Sequence, residues 1–343
     1  MKTAKIFSVI VVLAIALYGA LGWYLLPLAN FDGELTRTGK LPESLFGWTQ
    51  PQPVLDSAEF AQADWHDADV LVIGDSFSVG RVWQTQLTRS GLRVRTVAWS
   101  SIRAICGDIQ PWLHAAGFKG RYIVIEIVER NALDTVNNSL ACNTMLATPV
   151  DANAEFSGPP APYIDRTHRV MSGRFSVGIE TWINERKYKR LSASPDFKSW
   201  KVNDVTTVAR VPDGCALFSH SRCEDVLFYG GDKEDDLGAD MFNGMNTIDA
   251  RLKGYTPIWV IVPNKSTSYL QPNKQFWTQA AAHFNAPDLL KNFRQAIRDK
   301  VVDLYLGSNT HVSTSGYLRI GQLVLSQIQS LEQARTHDAS QHP

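Results

Sequence analysis

The stretch "VLVIGDSFSVG", Val70–Gly80, decides how the rest of the chain is read. A run of branched apolar residues ends in Gly74-Asp75-Ser76, so a serine hydroxyl stands where a strand should stop. A short, continuous apolar run closed by turn residues is the pattern of a strand buried on both faces. Such strands belong to parallel sheets covered by helices, and the flanking segments fit that frame. "RVWQTQLTRS", Arg81–Ser90, places Val82, Trp83 and Leu87 at helical spacing, and Gly91 stops it. "RVRTVAW", Arg93–Trp99, reads as a second strand. "IQPWLHAAG" reads as a helix ended by Gly117, and "RYIVIEIV", Arg121–Val128, as a third strand, again nearly all apolar.

Farther along, "TPIWVIVP", Thr256–Pro263, is another buried strand, and "DLLKNFRQAIRDK", Asp288–Lys300, is a helix. "VVDLYL", Val301–Leu306, reads as a last strand. "STSGYLRIGQLVLSQIQSL", Ser313–Leu331, opens on a Ser/Thr cap and continues as an amphipathic helix. Strands alternating with helices predict an α/β fold with a parallel sheet flanked by helices, in three layers. The expected catalytic domain spans 68–331, with an irregular insertion at about 134–250 that covers the sheet, and a disordered tail at 332–343.

The N-terminus fixes the compartment. Lys2 and Lys5 precede "IFSVIVVLAIALYGALGWYLL", Ile6–Leu26, which carries no charge. At 1.5 Å per residue this run spans about 30 Å, the thickness of a hydrocarbon core. Trp23 and Tyr24 fall where an aromatic belt sits, and the lysines favour a cytoplasmic N-terminus. Ala20-Leu21-Gly22 offers a small-x-small cleavage site, but the run is longer than the ~7–15 apolar residues of a signal peptide. Residues 1–29 are therefore expected to be an uncleaved transmembrane anchor and 30–67, rich in Pro, Gly and polar residues, a linker. The remainder then lies outside the cytoplasm, in the periplasm of a Gram-negative cell. The 34 basic and 34 acidic residues balance, which argues against a nucleic-acid partner.

Cys106, Cys142, Cys215 and Cys223 all lie in the exported part, where disulfides persist. Cys215 and Cys223 bracket a short loop, which leaves Cys106 with Cys142, although four cysteines allow three connectivities. A zinc site of Cys215, His220 and Cys223 is the competing reading, but its spacing fits no standard ligand pattern, and no metal is expected.

In a parallel α/β sheet ligands bind beyond the carboxyl ends of the strands. Ser76, Ser100 and Ser101, Glu129 and Arg130, Asn264 and Lys265, and Asn309 and His311 all follow predicted strands. A serine needs a base to take its proton, usually a histidine. Among the eight histidines, His311 alone stands just after a predicted strand and just before a helix cap.

"GDSFS", Gly74–Ser78, together with "NTHVSTSGY", Asn309–Tyr317, resembles the nucleophile and histidine blocks of the SGNH hydrolase superfamily. "IVIEIVERNAL", Ile123–Leu133, and "IVPNKSTSYL", Ile261–Leu270, are similar to segments of its branch that O-acetylates alginate and related exopolysaccharides; "LFYGGDKEDD", Leu227–Asp236, shares that character more weakly. The resemblance covers roughly 68–330 and implies an SGNH/flavodoxin-like sheet. It implies Ser76 as nucleophile and His311 as general base. The backbone N–H of Ser76 and groups from the Ser100–Ser101 turn would form the oxyanion hole, and Arg130, Lys265 and Tyr269 would hold substrate.

The function implied is a membrane-anchored periplasmic O-acetyltransferase in a bacterial inner membrane, working through an acetyl-serine and without a cofactor. Its acceptor would be a polysaccharide, and its acetyl donor a polytopic membrane-bound O-acyltransferase. A deacetylating SGNH esterase and an inactive polysaccharide-assembly subunit are the alternatives. Two features depart from the family pattern. Asn309 occupies the position of the acid in Asp-x-His: either its amide oxygen or another acid, Asp75 or Asp303, supports the imidazole, or the site is weak or inactive. The serine also precedes the histidine, the order of ordinary SGNH esterases, whereas the alginate enzymes place their Asp-x-His first.

Overall fold

The computed structural model describes residues 2–149, 152, 156–164, 170–232, 237–271 and 273–341. Residues 233–236 of "LFYGGDKEDD" lie outside them. Among the described residues the strands, in chain order, are β1 Val70–Gly74, β2 Val94–Ala98, β3 Tyr122–Val128, β4 Ser199–Lys201, β5 Thr206–Arg210, β6 Asp225–Tyr229 and β7 Thr256–Val262. The chain divides into two compact units. One comprises Gln52–Pro162, Asp232–Leu304 and His311–Pro343; the other comprises Met1–Pro51, Tyr163–Gly231 and Tyr305–Thr310.

The first unit is mixed α/β, built on a four-stranded parallel sheet in the order β2-β1-β3-β7 and flanked by helices. Every residue of β1 and β3 is buried, which is why those stretches read as unbroken apolar runs. The register sets Gly74 beside Ala98 and Val128 beside Val262, so the strands end at one edge. The chain passes from β1 to β2 on one side and returns to β3 on the other. In open parallel sheets such a reversal, here between β1 and β3, is where ligands bind, beyond the carboxyl ends of the strands.

Several expectations are corrected within this unit. Arg81 has φ 53°, and the helix after it is confined to Thr85–Arg89, although Gly91 ends it at φ +89° as its position suggested. "VVDLYL" is not a strand in a sheet: Lys300 and Asp303 take φ of 56° and 53°, in the left-handed region, and break the extended course. The last helix runs from Thr314 to Gln341, so 332–341 is helical and not disordered. That segment is rich in good helix formers and lacks Gly and Pro, and Glu332 pairs with Arg335 at 2.8 Å.

The second unit corrects the expected linker and insertion. It has its own three-stranded antiparallel sheet, β4-β5-β6, and its own core of Leu35, Leu41, Phe46, Tyr188, Val208 and Leu227. Residues 30–51 are therefore packed chain. Glu43 is buried and accepts from the backbone N–H of Gly33 at 3.0 Å and from the Thr36 hydroxyl. Burial pushes its carboxyl above the usual carboxylate range. A Cβ on Gly33 would stand 2.3 Å from the Ser308 Oγ, and Leu35 N–H donates to the Ser308 carbonyl at 2.9 Å. The N-terminal helix, Lys2–Leu25, also belongs to this unit. The segment Thr3–Ala29 is long and apolar enough to cross a membrane, with a mean hydropathy of 2.3 and none of the apolar window buried.

Both disulfides form as paired on sequence: Cys106–Cys142 in the first unit and Cys215–Cys223 in the second. The second bond removes the thiolates that a zinc site would need.

Candidate active site

The edge at β1 is held by Asp75. Its Oδ1 accepts from Phe77 N–H at 2.9 Å, capping the short helix Ser76–Val79, and its Oδ2 accepts from Val128 N–H at 2.8 Å. One carboxylate thereby fixes the turn after β1 to the end of β3. Gly74 is required by close packing: a Cβ there would lie 2.2 Å from Ser78 Oγ and 2.8 Å from Glu126 Oε2.

That turn presents Ser76 on the surface. Its Oγ lies 2.8 Å from Nε2 of His311, across 235 residues of sequence. The imidazole packs on Phe77, with ring centroids 4.6 Å apart, and Phe77 also meets Tyr317 at 6.0 Å. Ser313 fixes the chain just after the histidine: its N–H donates to the Leu304 carbonyl at 3.0 Å, and its Oγ accepts from Gly316 N–H at 3.2 Å.

Beneath the turn sits Glu126, fully buried in the middle of β3. Its Oε2 accepts from Ser78 Oγ at 2.7 Å and from Asp75 N–H at 3.0 Å. Burial, reinforced by the Asp75 charge, pushes its carboxyl well above the usual carboxylate range. Glu126 was missed as a site residue because it lies inside an apolar run. A lone Glu within "IVIEIV" is itself a signal, since a buried carboxyl needs partners.

A second cluster lies at the ends of β3 and β7. Glu129 accepts from Asn264 N–H at 2.7 Å and pairs with Lys274 at 2.5 Å, both side chains being buried. Arg130 reaches Asn264 Oδ1 at 3.4 Å and Asp232 at 3.8 Å, and Ser266 Oγ donates to Asp232 at 2.7 Å.

Lys265 is only 2% exposed. Burial depresses its ammonium well below the ordinary lysine value, against the pull of Asp303 and Asp232. Lys265, expected to hold substrate, is an interior group set near two acids. Asp303, considered as a support for the histidine, faces this lysine. Asp75 spends both carboxylate oxygens on backbone N–H groups. Tyr269 is half-buried on the helix Lys265–Leu270, next to this cluster in sequence.

Ser100 and Ser101 lie in the helical turn Trp99–Ile102, directly after β2 and therefore beside the end of β1. Ser100 is exposed and Ser101 half-buried. Asn309 falls in the other unit, where its N–H donates to the Leu306 carbonyl at 3.2 Å. Among the described residues there is no group of three or more His, Cys, Asp or Glu side chains placed to hold a metal.

A serine hydroxyl in hydrogen-bond contact with an imidazole can act as a nucleophile whose proton the ring accepts. Comparison of the chain with protein-family models, with curated proteins and with solved structures finds no match in any of the three.

Proposed function

We propose that this chain is a membrane-anchored, exocytoplasmic serine acyltransferase of SGNH type, which O-acetylates an extracellular polysaccharide. The observation that carries the reading is the 2.8 Å contact between Ser76 Oγ and His311 Nε2 at the edge of a parallel sheet. In the first half-reaction Ser76 Oγ attacks the donor's acetyl carbonyl while His311 takes the hydroxyl proton. The donor's leaving group departs with that proton, and acetyl-Ser76 remains. In the second, a sugar hydroxyl gives its proton to His311 and attacks the ester; Ser76 leaves and recovers the proton.

The N-terminal segment favours a site outside the cytoplasm, and the two disulfides are compatible with it. Acetyl-CoA is cytoplasmic, so the reading calls for a polytopic membrane acyltransferase that hands acetyl groups across the bilayer. The resemblance of "VERNAL" and "PNKSTSY" to exopolysaccharide acetylation proteins favours transfer. The exposure of Ser76 favours a second reading, an esterase in which water replaces the sugar.

The test uses the full chain in detergent with an activated acetyl ester, in the presence and absence of polysaccharide. Transfer predicts acceptor-dependent ester formation with slow hydrolysis, and Ser76→Ala should lower it by about 10⁴-fold or more. Rapid hydrolysis indifferent to acceptor would leave the esterase reading. Turnover that survives Ser76→Ala would remove both.

A further inference from the structure

The helix Phe175–Ser192 buries one face in its own unit through Gly178, Thr181 and Tyr188. The opposite face carries Ile179, Ile183, Arg186 and Arg190 at i, i+4, i+7 and i+11, a single stripe, and all four are exposed. Ile183 is 52% exposed and Ile179 38%, with Val170 and Met171 also exposed just ahead of the helix. The helix holds four basic residues against two acidic ones. An amphipathic helix with apolar residues at one end of its open face and cations at the other needs a surface that is oily below and anionic above.

The helix is fastened to the outer end of the N-terminal apolar segment. A Cβ on Gly178 would stand 2.2 Å from the Leu25 carbonyl, and one on Gly173 would stand 2.5 Å from both the Leu26 carbonyl and Ala29. The two glycines let the backbones meet directly. Phe175 stacks on Tyr18, with ring centroids 5.8 Å apart. Tyr18 lies seven residues before Leu25, about 10 Å back along the apolar helix. Phe175 thus reaches to the depth at which interfacial helices bury their apolar faces, roughly 5–10 Å below the headgroups. On the outer side, Tyr24, Trp182, Glu185, Arg186, Lys189 and Arg190 line an open groove of about 350 Å³. The Arg186 guanidinium lies over the Trp182 ring, 4.6 Å from its centroid.

We propose that this helix is a second membrane contact at the outer interface, inclined so that its N-terminal end, with Ile179 and Ile183, enters the acyl chains while Arg186, Lys187 and Arg190 toward its other end sit on the phosphates of anionic lipids. Continuity with the apolar segment and the charge of the helix choose lipid over a protein partner. The inference needs that segment to span the bilayer and does not depend on the acyl-transfer reading.

All four native cysteines are in disulfides, so a single introduced cysteine can carry an environment-sensitive fluorophore. The test places it at Ile183→Cys in the full chain, in nanodiscs of phosphatidylcholine with or without phosphatidylglycerol. Spin-labelled lipid should remove most of the emission and iodide little of it. The quenching should rise several-fold with phosphatidylglycerol, and R186S/K187S/R190S should abolish that rise. A label open to iodide and untouched by spin-labelled lipid would overturn the proposal. So would quenching indifferent to lipid charge. Protection from iodide in native membranes without lipid quenching would assign the face to a protein and overturn it as well.

Discussion

At the scale of the residue, Glu126 ties the candidate nucleophile turn to the sheet. It holds Asp75 N–H and the Ser78 hydroxyl on one oxygen, and burial, which penalises its charged form, raises its pKa. Such a carboxyl binds its proton more tightly in the folded than in the unfolded chain. Its stabilising contribution is whole below the ordinary value of 4.5 and is lost as pH rises toward the higher folded value. Glu126→Gln keeps the acceptor oxygen and removes the ionisation. The variant should therefore gain on wild type above that pH, by at most about 1.4 kcal/mol per pH unit. Urea unfolding of both proteins over a pH series measures this, and a constant gap would show Glu126 ionised in the native state. Ser76 and His311 were legible because each stands at a punctuation mark, the end of an apolar run or the approach to a helix cap. Lys265 was not: the same lysine after a strand can face water or acids, and only the packing decides.

At the scale of the element, the strands of the parallel sheet were legible because burial on both faces leaves unbroken apolar runs with turn residues at their ends. β4, β5 and β6 were not. β4 is three residues with no buried position, and β5 (TTVAR) and β6 (DVLFY) mix polar residues into their five, so none of the three forms an unbroken apolar run. Residues 30–51 read as a linker since their buried apolar side chains, Leu35, Leu41, Phe46 and Trp48, are too few and too irregularly spaced to mark an element. The disulfides act at this scale also. Cys106–Cys142 closes a separation of 36 residues and Cys215–Cys223 one of 8. In the chain-entropy account their removal costs about 4 and about 2.5 kcal/mol respectively. Cys106→Ser/Cys142→Ser should thus destabilise more than Cys215→Ser/Cys223→Ser in denaturant titrations. The reverse order would mean that local strain or packing outweighs loop closure.

At the scale of the whole molecule, a chain with an apolar N-terminal segment and two folded units carries a serine and an imidazole brought together from distant sequence. The Ser76–His311 contact lies in the unit with the parallel sheet, while the apolar N-terminal helix belongs to the other unit. The central claim is that Ser76 is acylated with His311 as its base. The most direct measurement is mass spectrometry of the full chain, acid-quenched during reaction with an activated acetyl ester and then digested. The account predicts an acetyl group on the peptide containing Ser76, absent in Ser76→Ala and formed about 10²-fold or more slowly in His311→Ala. No acetyl ester at Ser76, or one that forms at the wild-type rate without the imidazole, would contradict it.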